Sequence, residues 1–244
     1  MKNLIKTILQ KLLGFETYLY WFSLYIIKTL KRNKKEGDFV YFRDMVADGN
    51  IILDIGANIG AMAVHLSRTH PHATIYAFEP IPQNIKTLER VLRHFKIKNV
   101  SVVKSALGNT TGEIEMVMPV QKKAKLQGLS HVVHDSITDF NEGEKYKTPL
   151  TTLDIFLKEN KITQAVNAIK LDVENFEFFV LEGGIETIKK HRPIIYTELW
   201  ENENRENCFT FIKNLNYTVK VLTENELVDF DEKLHSTQNF FFIP

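Results

Sequence analysis

An acid, two glycines and a second acid stand in a fixed order near the front of the chain. Leu53-Asp54-Ile55-Gly56-Ala57-Asn58-Ile59-Gly60 is followed by Ala77-Phe78-Glu79-Pro80. An apolar strand running into a glycine turn and a helix, then a second strand closed by an acid, builds a nucleotide-shaped cleft at the carboxyl edge of a parallel sheet. The turn decides which nucleotide. A pyrophosphate-bearing dinucleotide wants Gly-x-Gly-x-x-Gly, because the middle glycine lets the backbone approach the phosphates. Here the spacing is Asp-x-Gly-x-x-x-Gly, with Asn58 where the middle glycine would stand. Asparagine tolerates a left-handed turn, but its side chain crowds a pyrophosphate. The pattern therefore predicts a phosphate-free adenosyl ligand, S-adenosylmethionine. Gly56 and Gly60 are expected to let the turn approach its amino-acid part, with Asp54 steadying the turn or the ligand's ammonium. Glu79 is expected to accept both ribose hydroxyls. A nicotinamide-dependent oxidoreductase is disfavoured by Asn58.

Further along, Ser105-Ala106 follows the third strand and is expected by location to line the adenine. Asp172 and Glu174 close the fourth strand. Carboxylates there can act as general base, orient an acceptor hydroxyl or hold a divalent cation. The compact oxygen set a cation needs does not extend past Asp172, Glu174 and the distant Glu198, so no metal site is expected. Glu198 ends the fifth strand as a further acid at the same sheet edge, read either as catalytic or as a strand-end cap. His131 and His134 lie in a polar stretch, and His131 is a candidate base for a hydroxyl acceptor.

These residues need a scaffold, and the chain supplies an alternation of strands and helices. Apolar runs at 51–55, 74–78, 100–103, 168–173, 193–199, 217–222 and 239–243 read as strands, with helices at 59–69, 82–95, 153–159, 176–190 and 204–215. Residues 112–117 alternate in the manner of an extra strand. Such an order predicts an α/β, Rossmann-like fold with helices on both faces of a seven-stranded, mostly parallel sheet. The last strand follows its predecessor without a helix-length connection, so it must run antiparallel. Residues 119–147 break the rhythm and read as an irregular functional loop, in the place of an acceptor-binding lid. Residues 1–45 read as an N-terminal helical extension and 46–244 as the catalytic domain.

A net charge of +1 gives no electrostatic case for nucleic acid. The single cysteine, Cys208, excludes an internal disulfide and suits a cytoplasmic protein. Residues 1–35 are different: Lys2, Lys6, Lys11, Lys28, Lys31, Arg32, Lys34 and Lys35 face one acid, Glu16. Between them the apolar residues recur at helical spacing, without the long uninterrupted run of a signal peptide or a spanning helix. The segment reads either as a lid packed on the domain or as an amphipathic surface resting on an anionic membrane.

Four blocks together resemble the FkbM-type methyltransferase family. They are the glycine block, Ala77-Phe78-Glu79-Pro80, Thr151-Thr152-Leu153-Asp154 and Ile169-Lys170-Leu171-Asp172-Val173-Glu174. Val180-Leu181-Glu182-Gly183-Gly184 and Arg192-Pro193-Ile194-Ile195-Tyr196-Thr197-Glu198 follow in order. The resemblance runs from about Ile51 to the C-terminus. Asn175 stands where the family has glycine, and asparagine is the next-best residue for the left-handed turn expected there. The resemblance implies an S-adenosylmethionine-dependent O-methyltransferase acting on a hydroxyl-bearing acceptor, a sugar in a glycan or else a secondary metabolite. A base-modifying N-methyltransferase is disfavoured, because no Asn/Asp-Pro-Pro-aromatic tetrad occurs. A cofactor-binding module without turnover is the non-enzymatic alternative, and the presence of both Asp172 and Glu174 argues against it.

Overall fold

The computed structural model describes residues 2–121, 123–134, 137 and 140–244. Helices α1 (Lys2–Leu13), α2 (Phe15–Thr29) and α3 (Gly37–Met45) precede the sheet, with single 3-10 turns at Leu30–Arg32 and Lys34–Glu36. The expected alternation follows as β1 (Ile51–Ile55), α4 (Ala61–Thr69), β2 (Thr74–Phe78), α5 (Pro82–His94) and β3 (Val100–Val103). Next come β4 (Ala106–Leu107), β5 (Gly112–Gln121), β6 (Ala124–Lys125), β7 (His131–Val132) and β8 (Gly143–Thr151). Alternation resumes with α6 (Leu153–Glu159), β9 (Val166–Leu171), α7 (Glu177–Gly183), α8 (Ile185–His191), β10 (Ile194–Glu198) and α9 (Glu203–Asn214). The chain closes with β11 (Thr218–Thr223), β12 (Glu226–Asp229) and β13 (Asn239–Ile243).

The main sheet runs β12-β11-β13-β10-β9-β1-β2-β3. β1 lies at its centre, parallel to both β2 and β9. β13 is antiparallel to β10 and β11, so the predicted reversed strand is present. The sheet has eight strands rather than seven, because Glu226–Asp229 folds back on β11 through Glu224 and Asn225, both left-handed at φ 52° and 68°. That edge strand is four residues with charged ends, too short and too polar to stand out from a loop.

Period-two alternation divides the core. Ile51, Leu53 and Ile55 pack with α6, α7, α8 and α9, through Phe156, Leu181, Ile188 and Phe209 among others. Ile52 points the other way, onto Phe39, Phe42 and Leu66 of α3 and α4. Phe240 and Phe242 join the first set and Phe241 the second, which is why three consecutive phenylalanines are all fully buried. Each such side chain removed from water contributes roughly 1.5–3 kcal/mol. Asp54 shares the side of Ile52 and is itself fully buried, a carboxylate in the middle of a central strand.

Residues 119–147 are not a structureless loop. β5 continues to Gln121 and pairs antiparallel with β8 from Gly112↔Leu150 to Pro119↔Gly143, forming a second sheet with β4, β6 and β7. β8 alternates charged and half-buried residues on an exposed arm, so its apolar content is that of a surface segment. Lys122 and Asp135 of this stretch lie outside the described residues. The single helix expected over 176–190 is two short ones, α7 and α8, meeting at Gly184.

In the extension, α2 packs against the domain. Ser23 Oγ donates to the Ile59 carbonyl at 2.8 Å, the Tyr20 hydroxyl bonds His94 Nδ1 at 2.9 Å, and the Arg90 guanidinium lies 3.6 Å from the Tyr20 ring centre. Among the described residues no helix is long and apolar enough to cross a membrane.

Candidate functional site

β1 ends in a turn whose backbone is left-handed three times, at Gly56 (φ 79°), Asn58 (φ 49°) and Gly60 (φ 83°). Asn58 takes the conformation its type allows. The two glycines answer a second demand besides the positive φ. A side chain on Gly56 would stand where the carbonyl of Asp172 is, and one on Gly60 would meet Leu88 of α5. The room left by their missing side chains is therefore filled by the protein, while the Gly56 backbone still forms part of a cleft wall.

Parallel pairing sets Asp54 of β1 beside Lys170 of β9. Lys170 is buried, and its ammonium donates to the Gly56 carbonyl at 2.9 Å, lies 3.2 Å from Asp172 Oδ2 and 3.7 Å from Asp54 Oδ1. Burial alone would lower the pKa of this ammonium, but Asp172 and Asp54 together raise it above its usual value. Burial lifts the Asp54 carboxyl, and Lys170 opposes that shift. Asp54 thus reaches the turn through Lys170. It does not line the clefts described below. Lys170 carried no role in the sequence reading, although a lysine inside Val-Asn-Ala-Ile-Lys-Leu, a buried parallel strand, calls for an anionic neighbour.

Glu79 ends β2 and is buried. It accepts the Asn58 N–H at 2.7 Å on one oxygen, and the Ile81 N–H at 2.9 Å and the Asn84 side-chain amide at 3.2 Å on the other. Burial pushes its carboxyl up to about 7, with those three donors opposing. After β9 the backbone reverses through Glu174 and Asn175, left-handed at φ 55° and 73°. The asparagine in the glycine place keeps the turn, and its Oδ1 accepts from Asn202 at 2.8 Å. Burial, then the charges of Asp172, Glu198 and Glu177, pushes the Glu174 carboxyl up to about 9. Burial and Asp172 push Glu198 up to about 7. Glu36, from the extension, is raised by burial and by the same Asp172. Among the described residues no group of three or more His, Cys, Asp or Glu is arranged to hold a metal ion.

Three clefts meet at Asp172. The first brings together Gly56, Asn58, Glu79, Ser105, Ala106, Asp172 and Glu174. Its charged lining is all acidic. Phe78, Ile81, Leu107, Met116, Val132 and Phe176 supply apolar walls. Asn58 Oδ1, Asn84 Oδ1, Ser105 Oγ, Gln127 Oε1 and Ser130 Oγ are buried polar atoms without a partner among the described residues, and all five residues line this cleft. Apolar walls suit a flat base, orphaned polar atoms suit a ribose and a base edge, and an acidic lining without lysine or arginine suits a cation and rejects a phosphate. The residues present fit S-adenosylmethionine.

The second, more open cleft shares Gly56, Asn58, Gln127, Gly128 and Asp172 with the first and adds Lys6, Phe22 and Glu36 from the extension and Gln121 and Phe140 from the second sheet's segment. Glu198 faces a third, with Lys35, Glu36, Lys170 and Asp172. The structure does not bring His131 to any of these. It is buried by the pairing of β7 with β5, and its ring nitrogens are 2.9 Å from the Leu129 carbonyl and 3.1 Å from Asn141 Oδ1. His134 packs its ring against Phe176 and Phe179.

Comparison with known proteins points the same way. The model of the methyltransferase FkbM domain matches residues 54–232. Methyltransferase 1 of Beauveria bassiana is 27% identical over 146 residues, covering 56% of this chain and 59% of that protein. Methyltransferase sdnD of Sordaria araneosa is 25% identical over 199 residues, covering 69% and 77%. The 2-O-methyltransferase NoeI of Sinorhizobium fredii is 28% identical over 167 residues, covering 63% and 64%. The chain thus spans less than two thirds of the length of the first and third of these relatives. A crystal structure of methyltransferase FkbM from Methylobacillus flagellatus shares the fold, with a TM-score of 0.57 at 17% identity over 99% of this chain and 59% of that one.

Proposed function

The chain belongs to the FkbM methyltransferase family, a family of S-adenosylmethionine-dependent enzymes, and from that premise we propose that it methylates a hydroxyl oxygen of a carbohydrate in the cytoplasm. The observation that carries the reading is the shared wall at Asp172. A carboxylate there faces both an acid-lined, nucleoside-shaped cleft and a larger cleft with polar and aromatic walls. NoeI, by its name a 2-O-methyltransferase, supports an oxygen acceptor.

The bound cofactor supplies a methyl group on a positively charged sulfur. Asn58, Glu79, Asn84 and Ser105 would hold the nucleoside part, with Ala106 beside them in the same cleft wall. The Asp172 carboxylate would take the proton of the acceptor hydroxyl as that oxygen is methylated. Lys170 holds that carboxylate in place at 3.2 Å. In the ligand-free cleft Glu174 is pushed up to about 9 and holds its own proton at neutral pH, so the basic role is assigned to Asp172. Most of the rate comes from placing the two reactants in line.

The test is release of S-adenosylhomocysteine with a panel of mono- and oligosaccharides against non-sugar alcohols, with the Asp172→Asn variant alongside. Saccharide-dependent release is expected, falling roughly a hundredfold or more in the variant while donor affinity stays within a few-fold. Turnover confined to non-sugar alcohols would remove the carbohydrate, and an unimpaired variant would remove Asp172 as the base.

A further inference from the structure

Helix α1 is packed inside out. Among its described side chains the buried one is polar: Gln10 clasps the backbone of Lys125, with Nε2 donating to the carbonyl at 3.0 Å and the Lys125 N–H donating to Oε1 at 3.0 Å. Its apolar residues face away. Ile5, Ile8, Leu9, Leu12 and Leu13 are 55, 48, 39, 76 and 44% exposed. They stand at i, i+3, i+4, i+7 and i+8, one face of the helix. A lid helix would turn that face onto the domain, as α2 does with Tyr18, Leu19 and Ile27. On α2 a second strip is exposed at i, i+4 and i+7, formed by Trp21, Tyr25 and Lys28.

Charge says what covers these residues. Lys11, Lys28, Lys31, Arg32, Lys34 and Lys35 are exposed, and the one acid of residues 1–35, Glu16, is 2.8 Å from Lys86. A second copy of the chain would bring the same cations against each other. An anionic bilayer attracts them, accepts an apolar helical face at the headgroup boundary, and favours tryptophan and tyrosine beside lysine. We propose that the exposed face of α1, with the cations around it, docks on the surface of a membrane rich in anionic lipid. Lys6 of the same helix lines the second cleft, so docking sets that cleft beside the lipid headgroups. The docking is separate from the identity of the acceptor. A saccharide carried on a lipid is the acceptor class it favours, and that step alone rests on the carbohydrate reading above.

The experiment is sedimentation of the full chain with phosphatidylcholine vesicles, with and without phosphatidylglycerol, at low and high salt. The chain is expected to pellet with the phosphatidylglycerol vesicles and to be released by salt. The Ile8→Glu/Leu12→Glu variant, altered at two exposed positions, is expected to partition about a hundredfold less while binding S-adenosylmethionine like the parent in calorimetry. No binding to either vesicle, equal binding of parent and variant, or binding indifferent to phosphatidylglycerol overturns the proposal. So does self-association in gel filtration that the variant abolishes, without vesicle binding. Vesicle binding by a chain that methylates no saccharide upholds the docking and overturns the carbohydrate reading instead.

Discussion

Lys170 answers to two carboxylates and one carbonyl from inside the protein, so removing its charge orphans more than one group. Asp54 is fully buried and among the described residues has no hydrogen-bond partner, leaving the Lys170 ammonium at 3.7 Å as the compensating charge they supply. Lys170→Met is expected to lower stability by about 3–5 kcal/mol, with the double variant Lys170→Met/Asp54→Leu recovering part of the loss in denaturant titrations. A single variant as stable as the parent would show that Asp54 is already protonated in the fold. Glu174 yields a second expectation. Its carboxyl, pushed up to about 9, holds a proton at neutral pH, and a positive sulfonium in the same cleft favours the ionised form. Binding of S-adenosylmethionine should therefore release protons, and more of them than binding of S-adenosylhomocysteine. Calorimetry in buffers of different ionisation enthalpy measures the difference, and equal proton counts for the two ligands would contradict it. Residue types and spacing were enough to place Asn58, Glu79, Ser105, Asp172 and Glu174 around one space. Lys170 and Glu36 were not legible, because their meaning appears only when β9 lies beside β1 and the extension folds over the sheet edge. His131 was placed by a stretch without a clear strand pattern, and its burial appears only when β7 pairs with β5.

At the scale of elements, the Gly56 turn and the end of β9 are interlocked. Replacing Gly56 by alanine asks one backbone to yield to another and asks a non-glycine residue to hold φ 79°. Gly56→Ala is expected to cost more than the roughly 1 kcal/mol of the positive φ alone, with a lowered Tm and loss of donor binding together. Wild-type melting would mean that β9 can move aside. The central strands were legible because a parallel strand covered on both faces is written as a continuous apolar run. β5 was legible only in its first part, 112–117, and β8 not at all, because their pairing is long-range and their exposed faces alternate charge, as a loop does. β12 was missed for its length.

Across the whole molecule, buried acids set the response to pH. Glu79, Glu177 and Glu198 are pushed up to about 7 and Glu174 to about 9, all first by burial, from an ordinary value of 4.5. Above that ordinary value the unfolded chain has released protons that the folded chain still holds. Stability is therefore greatest at the acid end of this window and falls as pH rises through about 7 and on towards about 9. Thermal melts of the ligand-free protein should show a lower Tm at about pH 8 than at about pH 5, and a flat or rising profile would mean that these carboxyls ionise freely in the fold.

The clefts that meet at Asp172 also differ in provenance. The first is walled mainly by the turns and strand ends of the main sheet, through Gly56, Phe78, Glu79, Ser105 and Glu174. The second borrows Lys6, Phe22 and Glu36 from the extension and Gln121 and Phe140 from beside the second sheet. Those borrowed parts can be exchanged without rewriting the strands that hold the donor. With the second cleft taking the acceptor, as proposed above, a lineage or an engineer would retarget the protein by replacing peripheral segments, keeping one transfer chemistry while the recipient changes.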